Sequence, residues 1–206
     1  MNKEVMISVK PNWCELYAKG IKTIEIRKTK PNTSMPFRGY IYCTKSQLLT
    51  KSHNDGNIYV VPDKLKKCQE SLELCGNTTL SGKVIGEFVC EYINEYLYVE
   101  DEKSGEMIYT IPSSDLEATC LKLDDLYSYG KGKTLYGWEI SNLVIYDKPK
   151  DLSEFKKFNR KCEYGDLGYA KPKDCNNCDG CRVQKPPQSW CFVEGIDECT
   201  LIAHSL

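Results

Sequence analysis

The alternation of apolar and polar positions sets out the elements of the chain. Residues 5–9, Val5-Met6-Ile7-Ser8-Val9, form a short apolar run that predicts a strand. Pro11 then opens a helix, where its fixed φ suits a first-turn position. Trp13, Leu16 and Tyr17 follow at i, i+3 and i+4 on one helical face, and Lys19-Gly20 supplies a C-terminal stop. In residues 22–28, Ile24 and Ile26 point one way, and Thr23, Glu25 and Arg27 point the other, as in a half-buried strand with a polar face. Further strands are predicted at 39–44, 83–92, 107–111, 136–140, 143–146 and 189–193. Residues 45–82 are polar and interrupted, with an amphipathic stretch at 65–75 of helical character. Ser113-Ser114-Asp115 before Leu116 is an N-cap signal for a helix running to Tyr129, ahead of Gly130.

This order is mixed α+β. Strands this short and this often punctuated by turns favour a small barrel with a few short helices over a doubly wound sheet. The 206 residues suffice for one compact core. We expect a barrel over residues 1–155, a Cys-rich insert over 156–185, and a final strand and tail over 186–206. The insert is poor in aliphatic residues and needs a staple to order itself.

Composition changes the picture in two places. The net charge of −1 gives no general attraction for nucleic acid, but its distribution is polarised. Residues 1–50 carry nine Lys/Arg against Glu4, Glu15 and Glu25, whereas residues 61–147 carry eight basic and sixteen acidic side chains. A fold that gathers residues 1–50 on one side presents a basic face. No run approaches the ~18 apolar residues of a membrane span, and the first residues lack the apolar region of a signal peptide, so we expect a cytoplasmic protein with no membrane partner.

The second place is the cysteine content. Of twelve cysteines, Cys162, Cys175, Cys178, Cys181 and Cys191 crowd the last quarter. Without an export signal such a cluster suggests metal before disulfides. Cys175-x-x-Cys178-x-x-Cys181 can bring three thiolates to one structural zinc, with Cys162 as first choice of fourth ligand and Cys191 as second. The alternative is a set of free or disulfide-linked thiols in a loose loop.

The segment Gly20-Ile21-Lys22-Thr23-Ile24-Glu25-Ile26-Arg27 reads G-x-K-T-x-E-x-R after a strand and a short helix. On its own terms, Gly20 lets the chain leave the helix, Lys22 can reach into a cleft, and Glu25 and Arg27 can orient each other or clamp a polar ligand. A structural ion-pair strand is the plain alternative. The motif resembles that of the ASCH domain, of the PUA-like β-barrel superfamily. Segments 11–15, 40–44, 82–88, 136–138 and 187–191 resemble a bacterial and phage subgroup of that family. The likeness covers residues 5–150 and 186–194 and leaves out 156–185.

The resemblance implies an RNA or nucleoside ligand beside this strand, bound by Lys22, Thr23, Glu25 and Arg27, with Trp138 and Trp190 as stacking rings. One ASCH branch is similar to amidohydrolases that deacetylate N4-acetylcytidine, with a Lys and a Thr on this strand and a Glu from a later helix. Lys22 matches that Lys, but Glu25 stands where that Thr would be, and a carboxylate is a poor replacement for an activated hydroxyl. Lys22 and Glu25 are the catalytic candidates if the protein is a hydrolase on a modified nucleoside. Glu117, Asp124 and Asp125 are candidates for the later acid. A third reading is a protein-interaction adaptor docking through the Cys-rich insert.

Overall fold

The computed structural model describes residues 3–62, 77–158 and 181–196. The run Val5–Val9 is apolar throughout because its strand, β1 (Lys3–Val9), is covered on both faces. Val5, Ile7 and Val9 enter a core with Tyr17, Phe37, Ile41, Phe88 and Trp138. Met6 enters a second core on the opposite face with Tyr40, Phe155, Val183 and Val193.

Among the described residues the elements run β1, α1 (Pro11–Ala18), β2 (Ile24–Arg27), β3 (Phe37–Cys43), β4 (Leu49–Ser52), β5 (Ile58–Val60), β6 (Asn77–Thr79) and β7 (Val84–Cys90). They continue with β8 (Ile93–Tyr96), β9 (Tyr98–Glu100), β10 (Met107–Tyr109), α2 (Ser113–Thr119) and α3 (Leu123–Gly130). β11 (Leu135–Glu139), β12 (Ser141–Lys150) and β13 (Trp190–Glu194) complete them. The fold is α+β, as the pattern predicts. The main sheet has the order β12-β7-β3-β1-β13, with β1 and β3 parallel. A second sheet, β2-β11-β8, carries the polar strand of the motif, and two smaller sheets pair β5-β4-β6 and β10-β9.

The predicted helix over 113–129 is two helices. Cys120 adopts a left-handed φ of 56° between them, and the second one ends at Lys131 with φ 52°. Gly20, at φ 68°, does turn the chain out of α1 as its composition predicts. Gly137 serves a different need: a Cβ there would stand 2.5 Å from the Tyr96 hydroxyl oxygen, so the close packing of β8 on β11 requires its absence. No helix of the described residues is long and apolar enough to cross a membrane.

The expected insert leaves and returns at one place. Lys156 bridges Arg182, Lys157 N donates to Cys181 O at 3.0 Å, and Val183 N donates to Phe155 O at 2.9 Å. Phe155 and Val183 then bury themselves together under the main sheet. The amphipathic stretch at 65–75 lies outside the described residues.

Candidate functional site

The turn at Gly20 folds β2 back beside α1, and so Tyr17 reaches a residue eight positions further on. Its hydroxyl donates to Glu25 Oε2. The other carboxylate oxygen, Oε1, receives Arg27 Nη2 at 2.9 Å. Lys22 Nζ lies 3.6 Å from Oε2. The cation–anion–cation ladder read from the sequence is therefore a physical cluster, and all three side chains are buried. It carries one positive charge in excess.

The backbone holds both cations in place. Lys22 Nζ donates to Ile24 O and to Thr119 O, each at 2.7 Å. Thr119 ends α2, and the last carbonyls of a helix have no partner within it, which makes them natural acceptors for a cation. Thr23 N takes the neighbouring carbonyl of Ala118 at 3.0 Å. Arg27 Nη1 donates to Ser189 O at 3.1 Å and Ser189 Oγ at 3.2 Å, and Nη2 to Ser8 O at 2.8 Å. Among the described residues Arg27 Nε is buried with no hydrogen-bond partner. Arg27 thus ties β2 to the end of β1 and to the chain entering β13.

Burial pushes the Lys22 ammonium below its ordinary value, and Glu25 pulls it partly back. Two carbonyls hold two of its hydrogens, so Lys22 in this arrangement is a donor and not a base. Burial, together with the charge of Glu25, raises Tyr17 well above the ordinary phenol value, which keeps its proton on the bond to Glu25. Cys14 is likewise raised by burial and by its neighbour Cys43, so it stays a thiol.

The cluster opens onto a cleft of about 440 Å³. Lys22, Glu25 and Arg27 line it, together with Trp13 from α1 and Asp125 and Tyr129 from α3. A volume of this size lies in the range of small-molecule sites. The Trp13 ring has Lys22 Nζ at 5.3 Å from its centroid. The Tyr129 ring has Lys28 Nζ at 4.7 Å. Of the three acids considered for a later role, Asp125 is the one on the wall. Its Oδ2 accepts Lys122 N at 3.0 Å. Glu117 and Asp124 do not line the cleft.

Two expected ligand contacts move elsewhere. Trp138 pairs with Glu25 across β2 and β11, but its ring is wholly buried, 5.7 Å from Phe37 and 6.0 Å from Trp190. No face is left on which a base could stack. Trp190 packs on Phe192 at 5.3 Å and donates Nε1 to Thr29 Oγ1 at 3.0 Å, away from the cleft lining. Both rings lie in segments chosen by resemblance, and apolar packing claims them. The aromatic rings that line the hollow are those of Trp13 and Tyr129. Thr23 is exposed and acts through its backbone. Tyr17 was legible only as a core residue, since its helical spacing gives no sign of the strand folding back over it.

Of the expected zinc ligands, Cys162, Cys175 and Cys178 lie outside the described residues. Cys181 is buried at the neck of the insert, and Cys191, on β13, is half-buried. Among the described residues no group of three metal-ligating side chains comes together.

No family model and no curated protein matches the chain. Among solved structures, ASCH from Zymomonas mobilis is similar at 16% identity and a TM-score of 0.46, over 82% of this chain and 83% of that one. A tyrosine-to-phenylalanine mutant of ZmASCH from the same organism is similar at 15% identity and a TM-score of 0.44, over 84% and 87%. A serine-to-alanine mutant of ZmASCH is similar at 15% identity and a TM-score of 0.48, over 93% of this chain and 88% of that one.

Proposed function

We propose that this protein is an ASCH-type domain that binds a nucleoside unit of RNA in the cleft beside β2. The observation that carries the reading is one hollow in which a buried Lys22–Glu25–Arg27 cluster meets an aromatic ring, Trp13. Among the described residues Glu25 Oε1 accepts from Arg27, which leaves a lone pair for an N–H on a base edge. Asp125 Oδ1 offers a second acceptor, suited to a sugar hydroxyl. Trp13 supplies a face for stacking, and stacking on an aromatic side chain is worth about 1–3 kcal/mol per base.

Calorimetric titration with the four ribonucleosides and with short single-stranded RNA tests this reading. Trp13→Ala is expected to weaken binding on the order of tenfold or more. Glu25→Gln keeps the shape but turns one acceptor oxygen into an amide donor, and it weakens a ligand that donates to that oxygen. Unchanged affinity in both variants, or no binding by the parent, overturns the reading. The hydrolase reading meets its own test in the same samples. The hydrogen bonds from Lys22 to two carbonyls oppose a role as base, so no turnover of N4-acetylcytidine is expected; turnover lost on Lys22→Ala would replace binding with catalysis.

Zinc at Cys162, Cys175, Cys178 and Cys181 is a separate proposal. Elemental analysis should find about one zinc per chain, lost on Cys178→Ser.

A further inference from the structure

We infer that the cleft takes its nucleoside from within a single-stranded RNA chain, with Lys10 and Lys28 at its rim holding backbone phosphates; this rests on the cleft reading above. Lys10 lies in the turn between β1 and α1 and lines the hollow, with its side chain exposed. Lys28 is the residue after β2, and its ammonium sits over the ring of Tyr129, which lines the same hollow. Among the described residues neither lysine has a carboxylate within ion-pair distance. By contrast, Lys19, Lys30, Lys51 and Lys83 are each held by one: Glu15, Glu95, Asp147 and Asp151.

A free nucleoside carries no charge for these two cations to meet. A phosphodiester on each side of the bound residue does. Phosphate is the group for which an exposed, unpaired ammonium on a flexible stem is suited. The surface continues the same pattern away from the rim. Trp190 Nε1 of β13 donates to Thr29 Oγ1, and Lys3 Nζ of β1 donates to Asn32 O at 2.7 Å, so the loop after β2 is tied to β13 at Thr29 and to β1 at Asn32. Along this loop Lys30 Nζ sits 5.3 Å from the Tyr136 ring and Lys3 Nζ 3.8 Å from the Phe192 ring. Cations interleaved with rings are the surface on which a single strand is held without sequence preference. Among the described residues Glu25 and Asp125 are the carboxylates that line the cleft, Glu25 held by Arg27 and Asp125 taking a backbone N–H at one oxygen. Beyond the rim, Glu95 is engaged by Lys30, and Glu194 stands across from Lys3 on β13.

The test compares each ribonucleoside with the matching homohexanucleotide at two salt concentrations, by calorimetry on the full chain. The hexanucleotide is expected to bind at least tenfold tighter than its nucleoside, with an advantage that shrinks as salt rises. In the Lys10→Gln, Lys28→Gln double variant the ratio of the two affinities falls toward one. The slope of log K against log salt then becomes shallower by about 0.7 for each lost phosphate contact. Both positions are exposed, and a parent-like melting temperature confirms that the variant is folded. A hexanucleotide that binds no better than its nucleoside overturns this inference and leaves the cleft reading standing. So does a double variant that keeps the full advantage. An acidic hexapeptide bound as tightly as the RNA also overturns it, since the rim would then be a general anion attractor. If neither nucleoside nor hexanucleotide binds, both readings fall.

Discussion

Two buried carboxylates in this protein each accept a tyrosine hydroxyl, and they differ in what surrounds them. Glu25 takes Tyr17, and Glu4 takes Tyr40. Around Glu25 stand two cations nearly sealed from water, Lys22 and Arg27, with Arg27 at 2.9 Å. Near Glu4 stands Arg38, whose side chain is 38% exposed and 3.9 Å away, and which lies at the same distance from Glu87. Glu87 in turn accepts Tyr146 at 2.8 Å. The Glu4 group lies beneath the second face of the main sheet, and none of its members lines the cleft. A tyrosine–carboxylate pair alone is therefore a structural device here. What marks the Glu25 site is desolvated excess positive charge at the floor of an opening, because such charge is costly unless a partner meets it.

Variants that remove one carboxylate at a time test that difference most strongly. Glu25→Leu leaves Lys22 and Arg27 buried without their anion, and urea unfolding should show a loss of about 3–5 kcal/mol. Glu4→Leu should cost distinctly less, because Arg38 already shares its charge with water and with Glu87. Equal losses would erase the distinction. Tyr17→Phe comes next: it removes a hydrogen bond to a charged acceptor, worth about 1.5–3 kcal/mol, while the carboxylate keeps Arg27. Thermal unfolding of Tyr17→Phe beside Tyr40→Phe ranks the two hydroxyls.

High pH acts on both regions at once. Burial raises Tyr17 and Tyr40, and it pushes the Cys191 thiol up to about 11 and Cys90 up to about 12 from an ordinary value of 9. The unfolded chain loses these protons first. Between pH 9 and 12 the native state therefore binds more protons, and stability falls as pH rises through that window. Melting temperatures should agree between pH 7 and 8 and be lower at pH 10.5; a flat profile would contradict the burial of these groups. The smallest effect belongs to Arg38→Ala, at under about 1 kcal/mol, since its pairs are long and half in solvent.

The local pattern along the chain shows how much of this could be read beforehand. Alternation placed Ile24 and Ile26 against Tyr96, Leu126 and Leu135, and it put Glu25 and Arg27 on the cleft side. It could not show that Tyr17 would cross eight positions to Glu25, nor that carbonyls at the end of α2 would bind Lys22, because both contacts depend on the turn at Gly20 and on where α2 docks. Whether Trp13 or Trp138 faces an opening is likewise decided by packing from other strands. β4, β5, β6, β8 and β9 escaped the pattern because each is only three or four residues long, too short to show an alternation, even though Leu49, Ile58 and Tyr96 within them are buried. The break at Cys120 has no signal in glycine or proline, since a cysteine takes the left-handed turn.

The clamp that joins residues 156–157 to 181–182 has a practical consequence. Lys156 bridges Arg182 and Lys157 N donates to Cys181 O, so the two ends of whatever chain connects them arrive already matched. A short glycine-containing turn in place of residues 159–180 is expected to keep this pairing, and a parent-like melting temperature would check it.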